Sequence, residues 1–135
     1  MRTLYDTVDV VVTVPIAVID SDTTTNGAAV DLADRALGYR SAVLVAVVGG
    51  VLDGTYGITV EHSTDGSTWE PVPDDRLQGA FAAVDDGASG TVQMVGYHGT
   101  RRYLRASVES VGVTDGATLG VLVLPGYATR PVDRG

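Results

Sequence analysis

His62 and His98 are the only histidines of the 135-residue chain. A Ser–His–Asp triad needs its three side chains to converge on one point. His62 and Ser63 are neighbours in a run that alternates like a β-strand, so their side chains leave opposite faces. No serine sits in the Gly-x-Ser-x-Gly turn that presents a nucleophile. The glutamates are Glu61, Glu70 and Glu109. Glycoside hydrolysis needs two carboxylates facing each other across a cleft, and nothing singles out such a pair. Asp20 with Asp22, Asp74 with Asp75 and Asp85 with Asp86 could offer oxygens to calcium, but none has the spacing of an EF-hand loop. Turn formation and solubilising charge are their expected roles. Cysteine is absent, which excludes disulfides, thiolate metal sites and a cysteine nucleophile. No glycine-rich stretch is followed by Lys or a helix, so no phosphate-binding loop is present. The residues therefore predict no enzyme, no metal and no cofactor.

The chemistry that does stand out is that of a contact surface. His62 to Glu70 contains an Asp65-Gly66 turn followed by Trp69. Arg101-Arg102-Tyr103-Leu104-Arg105 follows a turn bracketed by Gly96 and Gly99. In a strand, Tyr103 and Arg105 share one face while Leu104, Ala106 and Val108 face the core. Arg and Tyr are enriched at protein interfaces, which makes Arg101, Tyr103 and Arg105 candidates for partner binding. The alternative is a solvated Arg face that neutralises nearby acids. Trp69 could stack on a sugar, but packing on the sheet is the expectation, because large aromatics dominate burial.

Composition restricts the possibilities further. The formal net charge is −8, so nonspecific nucleic-acid binding is not expected. All nine basic residues are Arg, a bias that fits a GC-rich genome as readily as a function. No run reaches the ~18 continuous apolar residues of a membrane span. Met1 to Asp6 lacks the apolar block of a signal peptide, and the absence of cysteine fits folding in a reducing cytoplasm. Abundant Val and 17 Gly point to strands joined by turns.

These elements must position any site. Val8–Val14 reads as a strand, with Pro15 ending it or marking an edge. Asp20–Gly27 reads as a polar loop with an Asn-Gly turn. Ala28–Leu32 is a short strand, and Asp34–Tyr39 a turn closed by Gly38. Ser41–Val48 is the most apolar run and is expected to be a central strand buried on both faces. Tyr56–Ser63 alternates cleanly and pairs back with Trp69–Val72, an edge because of Pro71 and Pro73. Further strands are expected over Gly79–Val84, Thr91–Val95, Arg102–Val108 and Ala117–Leu124. This pattern predicts an all-β protein, an antiparallel β-sandwich of jelly-roll type. Residues 8–125 form the single domain, with extended termini at 1–7 and 126–135.

The order of short motifs carries a resemblance. It runs from Leu4-Tyr5-Asp6-Thr7-Val8-Asp9 through Gly38-Tyr39-Arg40-Ser41, Asp53-Gly54-Thr55-Tyr56 and Ser63-Thr64-Asp65-Gly66. It continues with Leu77-Gln78-Gly79, Val95-Gly96-Tyr97-His98-Gly99, Arg102-Tyr103-Leu104-Arg105 and Val123-Leu124-Pro125-Gly126. The chain resembles small capsid-associated decoration or auxiliary head proteins of tailed bacteriophages and prophages. That resemblance implies a virion structural protein on the outer capsid surface, assembled in the host cytoplasm. It implies the major capsid protein as partner and a homo-oligomer, a trimer. A tail or connector component is the nearest variant. A weaker likeness, through Ser-x-Asp-Gly-x-x-Trp, is to discoidin-type jelly rolls; both likenesses imply an antiparallel β-sandwich, and a carbohydrate-binding module using Trp69 is the rival function. Arg2, Leu4, Tyr5, Tyr127 and Arg130 in the two termini complete the partner-binding candidates. Such arms have little apolar content to bury and are expected to order only on binding.

Overall fold

The computed structural model describes residues 8–33 and 41–126. Val-rich and alternating runs, with one polar run, form ten strands: β1 Val11–Ile19, β2 Thr23–Asn26, β3 Val30–Asp31, β4 Ser41–Val51, β5 Thr55–Ser63, β6 Glu70–Pro71, β7 Leu77–Gln78, β8 Val92–Tyr97, β9 Tyr103–Val111 and β10 Ala117–Gly126. The first sheet has the order β1-β10-β4-β8-β7, and the second β2-β9-β5-β6, with β3 also on β9. All the pairings are antiparallel. Taking β2 and β3 as one interrupted strand and setting β7 aside leaves eight strands. In chain order they fall into sheets 1-8-3-6 and 2-7-4-5, which is the jelly-roll arrangement of two Greek keys.

The core lies between the sheets. Ala42, Leu44, Ala46 and Val48 of β4 and Leu119, Val121 and Val123 of β10 meet Tyr56 and Val60 of β5 and Leu104, Ala106 and Val108 of β9. The alternation expected for β5 and for Leu104, Ala106 and Val108 is therefore present. One side of the sandwich is closed by a buried hydroxyl. Thr13 of β1 donates through Oγ1 to Ala28 O at 2.8 Å and accepts from Ala106 N at 3.2 Å. Gly27 N donates to Ala106 O, and Ala28 N to Thr13 O. The threonine thus takes the ladder position on β9 that is left open where the chain passes from β2 to β3.

Of the two roles expected for Pro15, the edge is the one observed: β1 runs through it as an edge strand with register shifts on both sides of Val14, where the missing amide does no harm. Three local expectations are corrected. Thr23–Asn26 is a strand and not a loop, because β9 supplies the partner for its polar backbone. Gly79–Val84 forms no strand: apart from the Tyr56–Val84 bridge, this stretch crosses between the sheets. β4 is central, but only one of its faces is buried; Val43, Val45 and Val47 on the other are half-exposed.

Candidate interaction surface

The outer face of the second sheet carries the aromatic and Arg residues. Register sets Glu61 opposite Arg105 and Ser63 opposite Tyr103. Arg105 Nε donates to Glu61 Oε1 at 2.9 Å, with both side chains mostly shielded. The same guanidinium lies 4.3 Å from the centre of the Trp69 ring, a cation–π contact. Trp69 is half-buried on the sheet, as packing predicts, and Arg105 occupies one of its faces.

The Asp-Gly turn supports this layer. It is longer than a two-residue hairpin loop, spanning residues 64–69. Gly66 takes a φ of +79°, which only glycine adopts readily. Ser63 Oγ accepts from Gly66 N at 2.9 Å and donates to Asp65 Oδ1 at 3.0 Å. Asp65 Oδ1 accepts from Ser67 N and Thr68 N. Those two amides and Ser63 hold the Asp65 carboxyl down to about 2. Next to the turn, Arg101 Nη1 donates to Thr64 Oγ1 at 2.8 Å, and Nη2 lies 3.6 Å from Glu70. Arg102 makes a forked contact with Asp31, Nε to Oδ1 at 2.8 Å and Nη2 to Oδ2 at 2.7 Å, and lies 5.1 Å from the Tyr103 ring. This hydrogen bonding lowers the Asp31 pKa.

Three of the sequence-derived candidates, Arg101, Tyr103 and Arg105, thus come together at one end of the second sheet. Arg2, Leu4, Tyr5, Tyr127 and Arg130 lie outside the described residues. Glu61, Glu70, Thr64 and Asp31 complete the layer. Sequence reasoning missed them because their partners are 31 to 71 positions away. The Arg face is therefore already neutralised by local acids, the alternative weighed above, yet Arg101 and Arg102 keep 38% and 52% of their side chains exposed.

A histidine on a strand or loop is ordinarily expected to be solvated, and His62 departs from that expectation. It is 6% exposed, points inward, and its Nδ1 lies 3.0 Å from Tyr97 Oη on the opposite sheet. The two rings meet edge-on at 5.9 Å. Tyr97 Oη also accepts from Arg101 N at 3.3 Å, so the pair links the core to the Arg101 turn. Burial lowers the His62 pKa and the Arg101 charge lowers it further, while Glu70 opposes them. A histidine held neutral in the fold contributes stability above its unfolded value of about 6.5 and loses it as the pH falls from there towards the lower folded value. Chemical unfolding between pH 7.5 and 4.5 should show stability falling below about pH 6.5, by at most about 1.4 kcal/mol per pH unit for this one proton. His62→Asn should flatten that slope, and an unchanged slope in the variant would assign the titration elsewhere.

Chemically, this arrangement presents planar and forked groups in fixed positions. Among the described residues, no three His, Asp or Glu side chains gather where they could hold a metal ion. An open cleft of about 280 Å³ lies between β5 and β7, lined by Ile58, Val60, Val72, Leu77, Phe81 and Asp74 among others. No helix among the described residues is long and apolar enough to cross a membrane.

No known protein family matches the sequence, and no curated protein matches it. Among solved structures, the fold is similar to that of PBSX exported protein XepA, with a TM-score of 0.61 at 15% sequence identity. The match covers 100% of this chain and 42% of that one, so this chain spans less than half the length of its structural neighbour. The shared feature is the antiparallel β-sandwich.

Proposed function

We propose that the chain is a non-enzymatic virion structural protein that binds the outer surface of a tailed-phage capsid and stabilises the shell. The observation that carries this reading is the Trp69–Arg105–Glu61 layer, with Arg101 and Tyr103 beside it: a rigid surface of interface-type side chains on a sheet. Its guanidinium groups are oriented by local acids before any partner arrives, so little rotamer freedom is lost on docking. The fold likeness to a phage-related exported protein supports the phage setting. Repeated over a symmetric shell, modest contacts of this kind add up to a large stabilisation. The partners in this reading are the major capsid protein and further copies of the chain, and the location is the capsid surface after assembly in the host cytoplasm.

The test is co-sedimentation of the full chain with purified capsids. The Arg101→Ala/Tyr103→Ala double variant should lose most capsid binding while keeping its circular dichroism spectrum. Undiminished binding by a folded double variant would remove this surface from the proposal. Glycan binding that is lost in Trp69→Ala would favour the carbohydrate reading.

A further inference from the structure

The charges of this chain are divided between its sheets. The four long strands of the first sheet, β1, β10, β4 and β8, contain no Asp, Glu, Arg, Lys or His. The second sheet carries Asp31, Glu61, His62, Glu70, Arg105 and Glu109. On the outer face of the first sheet, register aligns Val12, Leu122, Val45 and Met94 side by side across all four long strands. Val43 beside Leu124, and Val47 beside Val92, flank that row. Met94 is 69% exposed, Val92 62% and Val12 47%. A contiguous exposed aliphatic face on a soluble sandwich marks an interaction site.

We infer that this face is the contact between two copies of the chain, packed sheet on sheet about a two-fold axis. A two-fold contact sets a patch against itself, and an aliphatic row is its own complement. Each copy carries a formal charge of −8. Meeting through the charge-free face lets two acidic molecules associate with their carboxylates turned outward, whereas contact through the second sheet would face like charges. The area is sufficient. Four strands at a spacing of about 4.8 Å, over about eight residues at about 3.3 Å, cover about 500 Å² per copy, or about 1,000 Å² in all, the size at which a specific interface begins. Edge pairing is the less favourable route. β1 is bulged and contains Pro15, and β7, at the other edge, has two residues. The pairing is two-fold, in contrast to the three-fold clusters that the resemblance implies, and it does not depend on the virion reading.

Sedimentation equilibrium of the full chain over a wide range of concentrations tests this inference. The wild-type chain should form dimers. Met94→Glu removes no buried contact and should weaken dimerisation at least about a hundredfold, because it places like charges in the interface. Its melting transition, followed at a concentration where it is monomeric, should remain cooperative. Met94→Gln covers the case in which the charge itself disturbs β8, and should weaken dimerisation less. Leu52→Glu, an exposed residue beyond the end of β4 and off the face, should leave the dimer intact. A wild-type chain that stays monomeric would overturn the inference, whether a capsid protein or the chain's own terminus covers the face. So would dimers or trimers that are indifferent to both Met94 substitutions.

Discussion

Gly27→Ala should abolish the stable fold, or come close to doing so. A Cβ at this position would collide with Thr13 Oγ1, and would lie 2.6 Å from Ala106 O and 2.9 Å from Thr13 O. Two of these three neighbours are backbone atoms held in place by hydrogen bonds, so the site cannot relax without parting β1 from β9. Overpacking of this kind costs about 1–3 kcal/mol where the surroundings can give, and more where they cannot. Thr13→Val makes the complementary test, because it keeps the shape and deletes the hydroxyl. It leaves Ala28 O and Ala106 N without the partner that Thr13 Oγ1 provides. The Ala106 amide is buried and costs about 1–3 kcal/mol when left unsatisfied, and the partly exposed Ala28 carbonyl adds less. That is a large fraction of the 5–15 kcal/mol typical of a whole domain. Urea unfolding of both variants decides the matter. If Thr13→Val unfolds at the wild-type midpoint, the hydroxyl is not the stitch described above.

The second large effect comes from the strand that also bears the surface. Leu104 is 0% exposed between the sheets, and its neighbour Arg105 lies on the outside. Leu104→Ala removes buried methyl groups and leaves a cavity, at an expected cost of about 2–5 kcal/mol. Arg105→Ala loses a shielded ion pair and a cation–π contact, and should cost about 1 kcal/mol after allowance for solvent screening. Thermal melts of the two variants should therefore separate widely although the positions are adjacent. Equal effects would mean that β9 does not present alternate faces to core and solvent.

The contrast at positions 104 and 105 also shows what was legible in the sequence. Alternation in β5 and β9 reports which side of a strand is wet, and the aliphatic β4 run identified the centre of a sheet. The turn at Asp65-Gly66 was readable because Gly66 needs a positive φ. Gly27 was not, although Asn26-Gly27 looks like the same signal. Its φ is not positive, and it is glycine because Thr13 and Ala106 approach its backbone. That requirement comes from a residue 93 positions from Thr13, and no local pattern records it. His62 failed for the same reason. Its place in the alternation is on the face of Tyr56 and Val60, but Tyr97, 35 residues away on the other sheet, is what makes burial tolerable. The polar strand β2 was hidden because an edge strand needs no apolar face when its backbone is satisfied by β9. The run Val43, Val45 and Val47 predicted burial on both faces of β4, and the second covering is the one assigned above to another copy of the chain.

The protein content of the particle tests the virion reading most directly. Capsids should be purified from the phage or prophage whose genome carries this gene, and quantified by mass spectrometry with and without mild denaturant stripping. The polypeptide should be present in a fixed ratio to the major capsid protein, leave the shell on stripping, and rebind when added back, with the restored shells more resistant to heat. Purified, infectious particles that lack it altogether would contradict the proposal.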